Sequence, residues 1–377
     1  MDKMMEIKSL KVQNFGCIKD LEMKLTPLHA VIGPNDAGKS TLLRAVRTGM
    51  QLHSFCFNTF DNSAKGAKSG ISPFDPGQHD DANVSLDLLI KEKWGFNYEL
   101  NLLKSNQIRE KLTPENGNAI FATRSLFQST QLRTWSDMRG SLIQQDSFLD
   151  YYIKNCPDIR LALPRMVRLD PDSLRLPGGL ISSVEPIDFE EKGYGLASVL
   201  DAMISRNLDG YLVIREQIRG LFPTVGDLAY ENTDNNQKGL GIKLKNDKFV
   251  NSQFMSEGML YYLAYAILKY LEPASIVFIE EPENGLHPSR IKEIMKIIRE
   301  LSKTTQVLIA THSPLVINEM EPEEVSILWR DDEKGTQVMP ITETSNFKDR
   351  SQVYALGELW LSYADGINEV ELRTGKE

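Results

Sequence analysis

The sequence predicts an α/β protein with a mixed, largely parallel core sheet, an antiparallel β piece and an inserted helical lid. Three observations carry this. The runs Leu28–Ile32, Ser275–Ile279 and Gln306–Ala310 are short, apolar and rich in β-branched residues, as strands buried on both faces are. The first two are followed by a polar or glycine-containing loop and then a helical stretch, the order of βα units. Asn83–Ile90 and Phe96–Leu103 read instead as the two strands of a hairpin, with Trp94-Gly95 at the connection.

The chain has 377 residues, room for one large or two modest domains. Its formal charge of −9 argues against a wholly basic nucleic-acid binder, though a local basic face is compatible with it. No apolar run is long enough to span a bilayer, and MDKMMEIKSL is charged and strand-like, so no signal peptide is expected. Cys17, Cys56 and Cys156 are scattered without Cys-x-x-Cys spacing, which suits reduced thiols in the cytoplasm.

Taken in order, Ile7–Phe15 alternates like a half-buried strand, Gly16-Cys17 turns it, and Leu21–Leu25 alternates again. After the strand Leu28–Ile32 stands Gly33-Pro34-Asn35-Asp36-Ala37-Gly38-Lys39-Ser40-Thr41, a full match to G-x-x-x-x-G-K-[ST], with a helical stretch behind it. Glycines let such a loop curl until its N–H groups converge on phosphate oxygens, and the helix N-terminus adds positive partial charge. In this motif Lys39 reaches the β- and γ-phosphates and the Ser40 hydroxyl ligates Mg²⁺. Asn58–His79 is rich in Gly, Ser, Asn and Pro and reads as an exposed loop. Residues 104–160 are mixed and mostly helical in period. They contain Gln128, Gln131, Gln144 and Gln145, none of which stands out for a role.

Arg165–Leu169 reads as a strand ended by Asp170-Pro171, and Pro177-Gly178-Gly179 as a loop. Gly195–Leu221 has helical spacing and is expected to form two helices around Asp209-Gly210. Leu228–Glu231 and Leu240–Lys245 flank an Asn/Asp turn. Ser256, in Ser256-Glu257-Gly258, suits the N-cap of an apolar helix over Met259–Leu271. Ser275–Ile279 leads to Glu280 and Glu281 at its C-terminal tip, where open α/β sheets place ligands. Burying unpaired charge is costly, so a Mg²⁺ ion and a polarised water are the natural partners of these acids. Pro288–Leu301 reads as an amphipathic helix, and Gln306–Ala310 as a strand leading to Thr311-His312-Ser313-Pro314. That puts His312 at the same sheet edge. Val325–Arg330 and Thr336–Pro340 pair across an acidic turn, and Val353–Tyr363 is a final helix. The expected division is 1–104 and 251–345 for the two parts of the core domain, 105–250 for the inserted lid and 346–377 for a helical tail.

Together the motifs resemble the ATP-binding-cassette ATPase heads of the SMC, RecF and OLD kind, an AAA_21-like P-loop NTPase type. Gly33–Thr41 resembles Walker A, and Ser256-Glu257-Gly258 the degenerate signature. Ile276–Glu281 resembles Walker B with its catalytic glutamate, Asn284–Pro288 the D-loop, and His312 the switch histidine. The resemblance implies ATP and Mg²⁺ as cofactors. Gly33, Pro34, Asn35, Asp36, Ala37, Gly38, Lys39, Ser40 and Thr41 would bind the nucleotide, and Ser40 and Glu280 the metal. Glu281 and His312 would be catalytic. Ser256, Glu257 and Gly258 would meet the nucleotide of a second copy, in a head-to-tail dimer or larger oligomer. No long heptad run is present, so SMC-like coiled-coil arms are not expected. The span after the last core strand holds no acid-glycine pattern of a TOPRIM nuclease domain, so nuclease activity in this chain is not expected. The function implied is a sensor ATPase of bacterial anti-phage defence acting on a separate nuclease or toxin effector. A RecF-like repair ATPase binding DNA is the alternative, and a transporter subunit with a membrane partner ranks last.

Overall fold

A computed structural model describes residues 5–58, 82–90, 94–102, 107–114, 120–125, 164–233, 236–344 and 347–364. The loop expected after Asn58 and the four glutamines between 128 and 145 lie outside the described residues. Five parallel strands form the core sheet, in the order β15 (Val325–Asp331), β3 (Leu28–Ile32), β14 (Gln306–Thr311), β13 (Ile276–Glu280) and β8 (Arg165–Val167). Both faces of this core are covered, which explains its unbroken apolar runs. Ala30, Ile32, Val277, Ile279, Val307 and Ile309 face one hydrophobic core. Val31, Ile276, Phe278, Leu308 and Ala310 face the other.

The first core is roofed by helices. These are α3 (Leu196–Arg206), α4 (Leu208–Leu221), α5 (Glu257–Ile267) and α6 (Pro288–Ser302), which follow α1 (Lys39–Asn58) and the short α2 (Pro171–Arg175). The second core holds α1, which packs between the parallel strands and an antiparallel wing. The wing runs outward from β15 through β16 (Gly335–Pro340), β2 (Ile18–Lys24), β1 (Met5–Phe15), β4 (Ala82–Ile90), β5 (Trp94–Leu102), β6 (Gln107–Pro114) and β7 (Ile120–Ser125). The sheet thus has twelve strands among the described residues. Gln306 pins wing to core. It is 1% exposed, accepts from the Ile7 N–H at 2.8 Å, and donates to the carbonyls of Ile7 at 2.9 Å and Thr26 at 3.1 Å.

Several expectations are corrected. Over 107–114 and 120–125 the chain is strand, not helix, and it extends the wing. Ile108 and Leu112 are four apart, a spacing that fits a helix turn and two strand repeats equally; the ladder to β5 decides. Arg165–Val167, inside the span read as a lid, is the edge strand of the core. Trp94 and Gly95 pair with Ile90 and Leu89 inside the ladder rather than forming the connection. The break between α3 and α4 falls at Asn207, whose side chain accepts from the Gly210 N–H, so Asp209-Gly210 lies within α4. The apolar helix starts at Glu257 and gives way to a 3₁₀ turn at Leu268–Tyr270. Gly178–Gly179 pairs with Gln237–Lys238 at the edge of a smaller second sheet, β10 (Val225–Asn232), β11 (Gln237–Leu244) and β12 (Phe249–Asn251). The acidic turn is closed by Asp331, whose Oδ1 accepts from the N–H groups of Glu333 and Lys334. The final helix begins at Leu356.

His29 on β3 gives the fold a pH-sensitive point. It is 3% exposed, held between Ser326 Oγ at 3.0 Å and Thr26 Oγ1 at 3.1 Å. Burial lowers its pKa to about 4. An unfolded imidazole titrates near 6.5, so charging the ring in its buried setting costs on the order of 3 kcal/mol more than charging it in water. With the folded value depressed, the stability is complete above ~6.5 and is lost as pH falls from there toward 4. Urea unfolding at pH 7 and pH 4.5 is expected to show this loss in the wild type and a smaller one in His29→Gln. Equal losses in the two proteins would remove His29 as the cause.

Candidate functional site

Parallel strands end together, so β3, β13, β14 and β8 deliver Gly33, Glu281, His312 and Arg168 to one edge of the sheet. The loop after β3 is sterically fixed. A Cβ on Gly33 would lie 2.3 Å from the Leu328 carbonyl oxygen. Asp36 and Gly38 have φ of +68° and +96°, which curls the chain into the start of α1. The first turn of that 20-residue helix contains no acid, so no carboxylate of its own offsets the positive partial charge at its N-terminus. Lys39 Nζ donates to the carbonyls of Gly33 at 2.7 Å and Pro34 at 2.9 Å. Burial lowers the Lys39 pKa, opposed by the charges of Glu281, Glu283, Asp36 and Glu280. The lysine and the acids therefore share one electrostatic site.

At the tip of β13 the two adjacent acids differ. The Glu280 side chain is 7% exposed, with Oε2 at 3.4 Å from Arg168 Nε, while its Oε1 is buried without a hydrogen-bond partner. Glu281 sits at φ +47°, a left-handed conformation costly for a glutamate and one that recurs at functional sites. Its Oε2 accepts from Asn284 Nδ2 at 2.7 Å, and its Oε1 is 3.6 Å from His312 Nδ1. The His312 carbonyl accepts from Trp360 Nε1 at 3.1 Å, which anchors the histidine turn to the helix Leu356–Ala364.

The residues fit a Mg²⁺ ion. Glu280 Oε1 is buried without a hydrogen-bond partner, and Ser40 adds a hydroxyl on the first turn of α1. This is an oxygen-only donor set. Among the described residues no group of three or more His, Cys, Asp or Glu could hold a metal by itself. That suits an ion which takes its other ligands from phosphate and water.

Ser256 occupies the N-cap of α5, the position expected from sequence, and its side chain makes no capping hydrogen bond. It is exposed, on a cleft of about 580 Å³ that Gly258, Gly285, His287 and Arg290 also line. A separate cleft of about 410 Å³ is lined by Glu280, Glu281, Asn284, Arg168 and Lys192. The two share no residue. Lys39, Glu280, Glu281 and His312 are thus brought together, and Ser256-Glu257-Gly258 are not brought to them. Sequence reading missed Arg168, Glu283 and Thr311. Glu283 was visible as the third acid of EEPEN, and Arg168 follows a strand whose place beside β13 is a tertiary fact.

The family model described as "AAA domain, putative AbiEii toxin, Type IV TA system" (AAA_21) matches residues 28–318. The chain belongs to this family. The AAA_21 match runs from the strand before the phosphate loop past the histidine turn. Among curated proteins, an OLD nuclease of Thermus scotoductus is 52% identical over 40 residues, 11% of this chain and 8% of that protein. An uncharacterized protein of Methanocaldococcus jannaschii is 26% identical over 167 residues, 40% of this chain and 41% of the other. ABC transporter A family member 7 of Dictyostelium discoideum is 33% identical over 90 residues, 24% of this chain and 10% of the other. The matches thus span less than half the length of each of these relatives. Among solved structures, the SMC head domain from Thermotoga maritima has a TM-score of 0.43 at 14% identity, over 89% of this chain and 98% of that one. The Smc head domain from Pyrococcus furiosus, bound to the C-terminal domain of ScpA, has a TM-score of 0.48 at 13% identity, over 93% of this chain and 100% of that one. No helix among the described residues is long and apolar enough to cross a membrane.

Proposed function

We propose that this AAA_21 chain hydrolyses ATP at a site that two copies complete, and that it serves as the sensor ATPase of an anti-phage defence system with a separate nuclease or toxin effector. One observation carries the ATPase reading. Lys39, Glu280, Glu281 and His312 meet at one sheet edge, with the lysine in the field of the carboxylates. Lys39 and the loop N–H groups would hold the phosphates, while Ser40 and Glu280 would hold Mg²⁺. When bound, that ion supplies positive charge to the phosphoryl oxygens. Glu281 would orient and deprotonate the attacking water, and His312 would face the γ-phosphate.

The second copy enters because Ser256 lies on a different cleft with its hydroxyl unused by its own helix. The family description, with its toxin–antitoxin reference, and the OLD nuclease match support the effector reading. The test is phosphate release from ATP by the purified chain. Turnover that requires Mg²⁺ and stops with chelator is expected. No turnover and no ATP binding would overturn the proposal.

A further inference from the structure

The turn after β13 carries a third acid that the proposed chemistry does not use. The Glu283 side chain is 10% exposed, against 40% for Glu281. Its Oε1 accepts from Thr311 Oγ1 at 2.7 Å, and the same hydroxyl accepts from the Ser313 N–H at 2.9 Å. Thr311 is fully buried, so this hydroxyl clasps the backbone on both sides of His312 and links it to the β13 turn. Glu283 Oε1 also lies 3.9 Å from His312 Nδ1, the same nitrogen that Glu281 Oε1 approaches at 3.6 Å.

The other Glu283 oxygen, Oε2, is buried with no hydrogen-bond partner. A group placed only to brace Thr311 would not need this. A glutamine could accept from the same hydroxyl without desolvating a charge. Burial pushes the Glu283 carboxyl up, partly offset by the Thr311 hydrogen bond and the charge of His312. The turn reaches the Ser256 helix too. A Cβ on Gly285, at φ +67°, would lie 2.2 Å from Tyr261 Cε2, and the buried Tyr265 phenol feels the charge of Glu283. Glu281, His312, Lys39 and Tyr265 are the titratable groups that act on Glu283.

We infer that Glu283 is a positioning residue: it ties the β13 turn to the β14 end through Thr311 and so places the Nδ1 edge of the His312 ring beside the carboxylates of that turn. The importance of that placement for turnover rests on the ATPase proposal; the placement does not. The test is therefore the NMR spectrum of the histidine rings in the protein without added nucleotide, with His312 assigned from its absence in His312→Asn. Glu283→Gln and Thr311→Val are each expected to displace the His312 ring resonances while those of the distant, buried His29 stay in place. His312 resonances that stay in place in both variants overturn the inference.

In turnover, Glu283→Gln and Thr311→Val are each expected to lower kcat about tenfold or more with KM for ATP within about twofold, the mark of a positioning loss rather than a binding loss. Thr311→Val keeps both carboxylates and serves if Glu283→Gln does not fold. Wild-type kcat in both variants also overturns the inference. A wild-type protein without turnover defeats the ATPase reading and leaves the ring spectrum to decide this one.

Discussion

Glu281→Gln is expected to cut ATP turnover by about 10²- to 10⁴-fold, the range for loss of a general base, while ATP affinity stays within about twofold. The side chain is well placed for that role. It leaves a strained backbone at φ +47°, is steadied by Asn284 at 2.7 Å, and keeps an oxygen 3.6 Å from His312 Nδ1. Glutamine keeps the shape and an acceptor for Asn284 but cannot take a proton. A protein that binds ATP and does not release phosphate accumulates in its bound state, so the associated form is expected to persist in Mg²⁺ and ATP. Phosphate release and light scattering check both halves. A variant that turns over within tenfold of the wild type would exclude Glu281 as the base.

Lys39→Ala is expected to weaken ATP binding by about 10²- to 10⁴-fold. Two hydrogen bonds to charged groups at about 1.5–3 kcal/mol each set that scale. The Lys39 ammonium donates to the carbonyls of Gly33 and Pro34, which holds it against the loop. Those carbonyls hold it against the pull of Glu281, Glu283, Asp36 and Glu280. Phosphate oxygens would offer it full negative charge in place of neutral acceptors. Titration with a fluorescent ATP analogue measures the effect. Unchanged affinity would mean that the loop motif is not the nucleotide site.

Much of this was legible in the sequence, for identifiable reasons. Leu28–Ile32 and Gln306–Thr311 are buried on both faces, and such strands carry continuous apolar runs. The residues that follow them had to lie at one edge because parallel strands end together. What was not legible depended on partners. Gln107–Pro114 became a strand because β5 was there to pair with it, and its own spacing left helix and strand equal. Asn207 ended a helix because its side chain caps the next one, where Asp209-Gly210 was the stronger punctuation by composition. Arg168 and Thr311 gained their roles from neighbours more than a hundred and more than twenty residues away, Glu280 and Glu283. Ser256 was legible as the N-cap of its helix from residue type and position; that its hydroxyl makes no capping hydrogen bond was not, because the sequence gives the position and not the rotamer.

The central claim is that one nucleotide is held by the phosphate loop of one copy and the Ser256 face of another. Mixing two inactive variants tests it directly. Lys39→Ala leaves the Ser256 face intact, and Ser256→Arg blocks that exposed face while leaving the phosphate loop intact. Each alone is expected to be inactive. In a mixed dimer one of the two sites joins an intact loop to an intact face, so random mixing is expected to restore about a quarter of the wild-type rate. A mixture as inactive as its parts, or a Ser256→Arg protein that hydrolyses ATP normally, would contradict the claim.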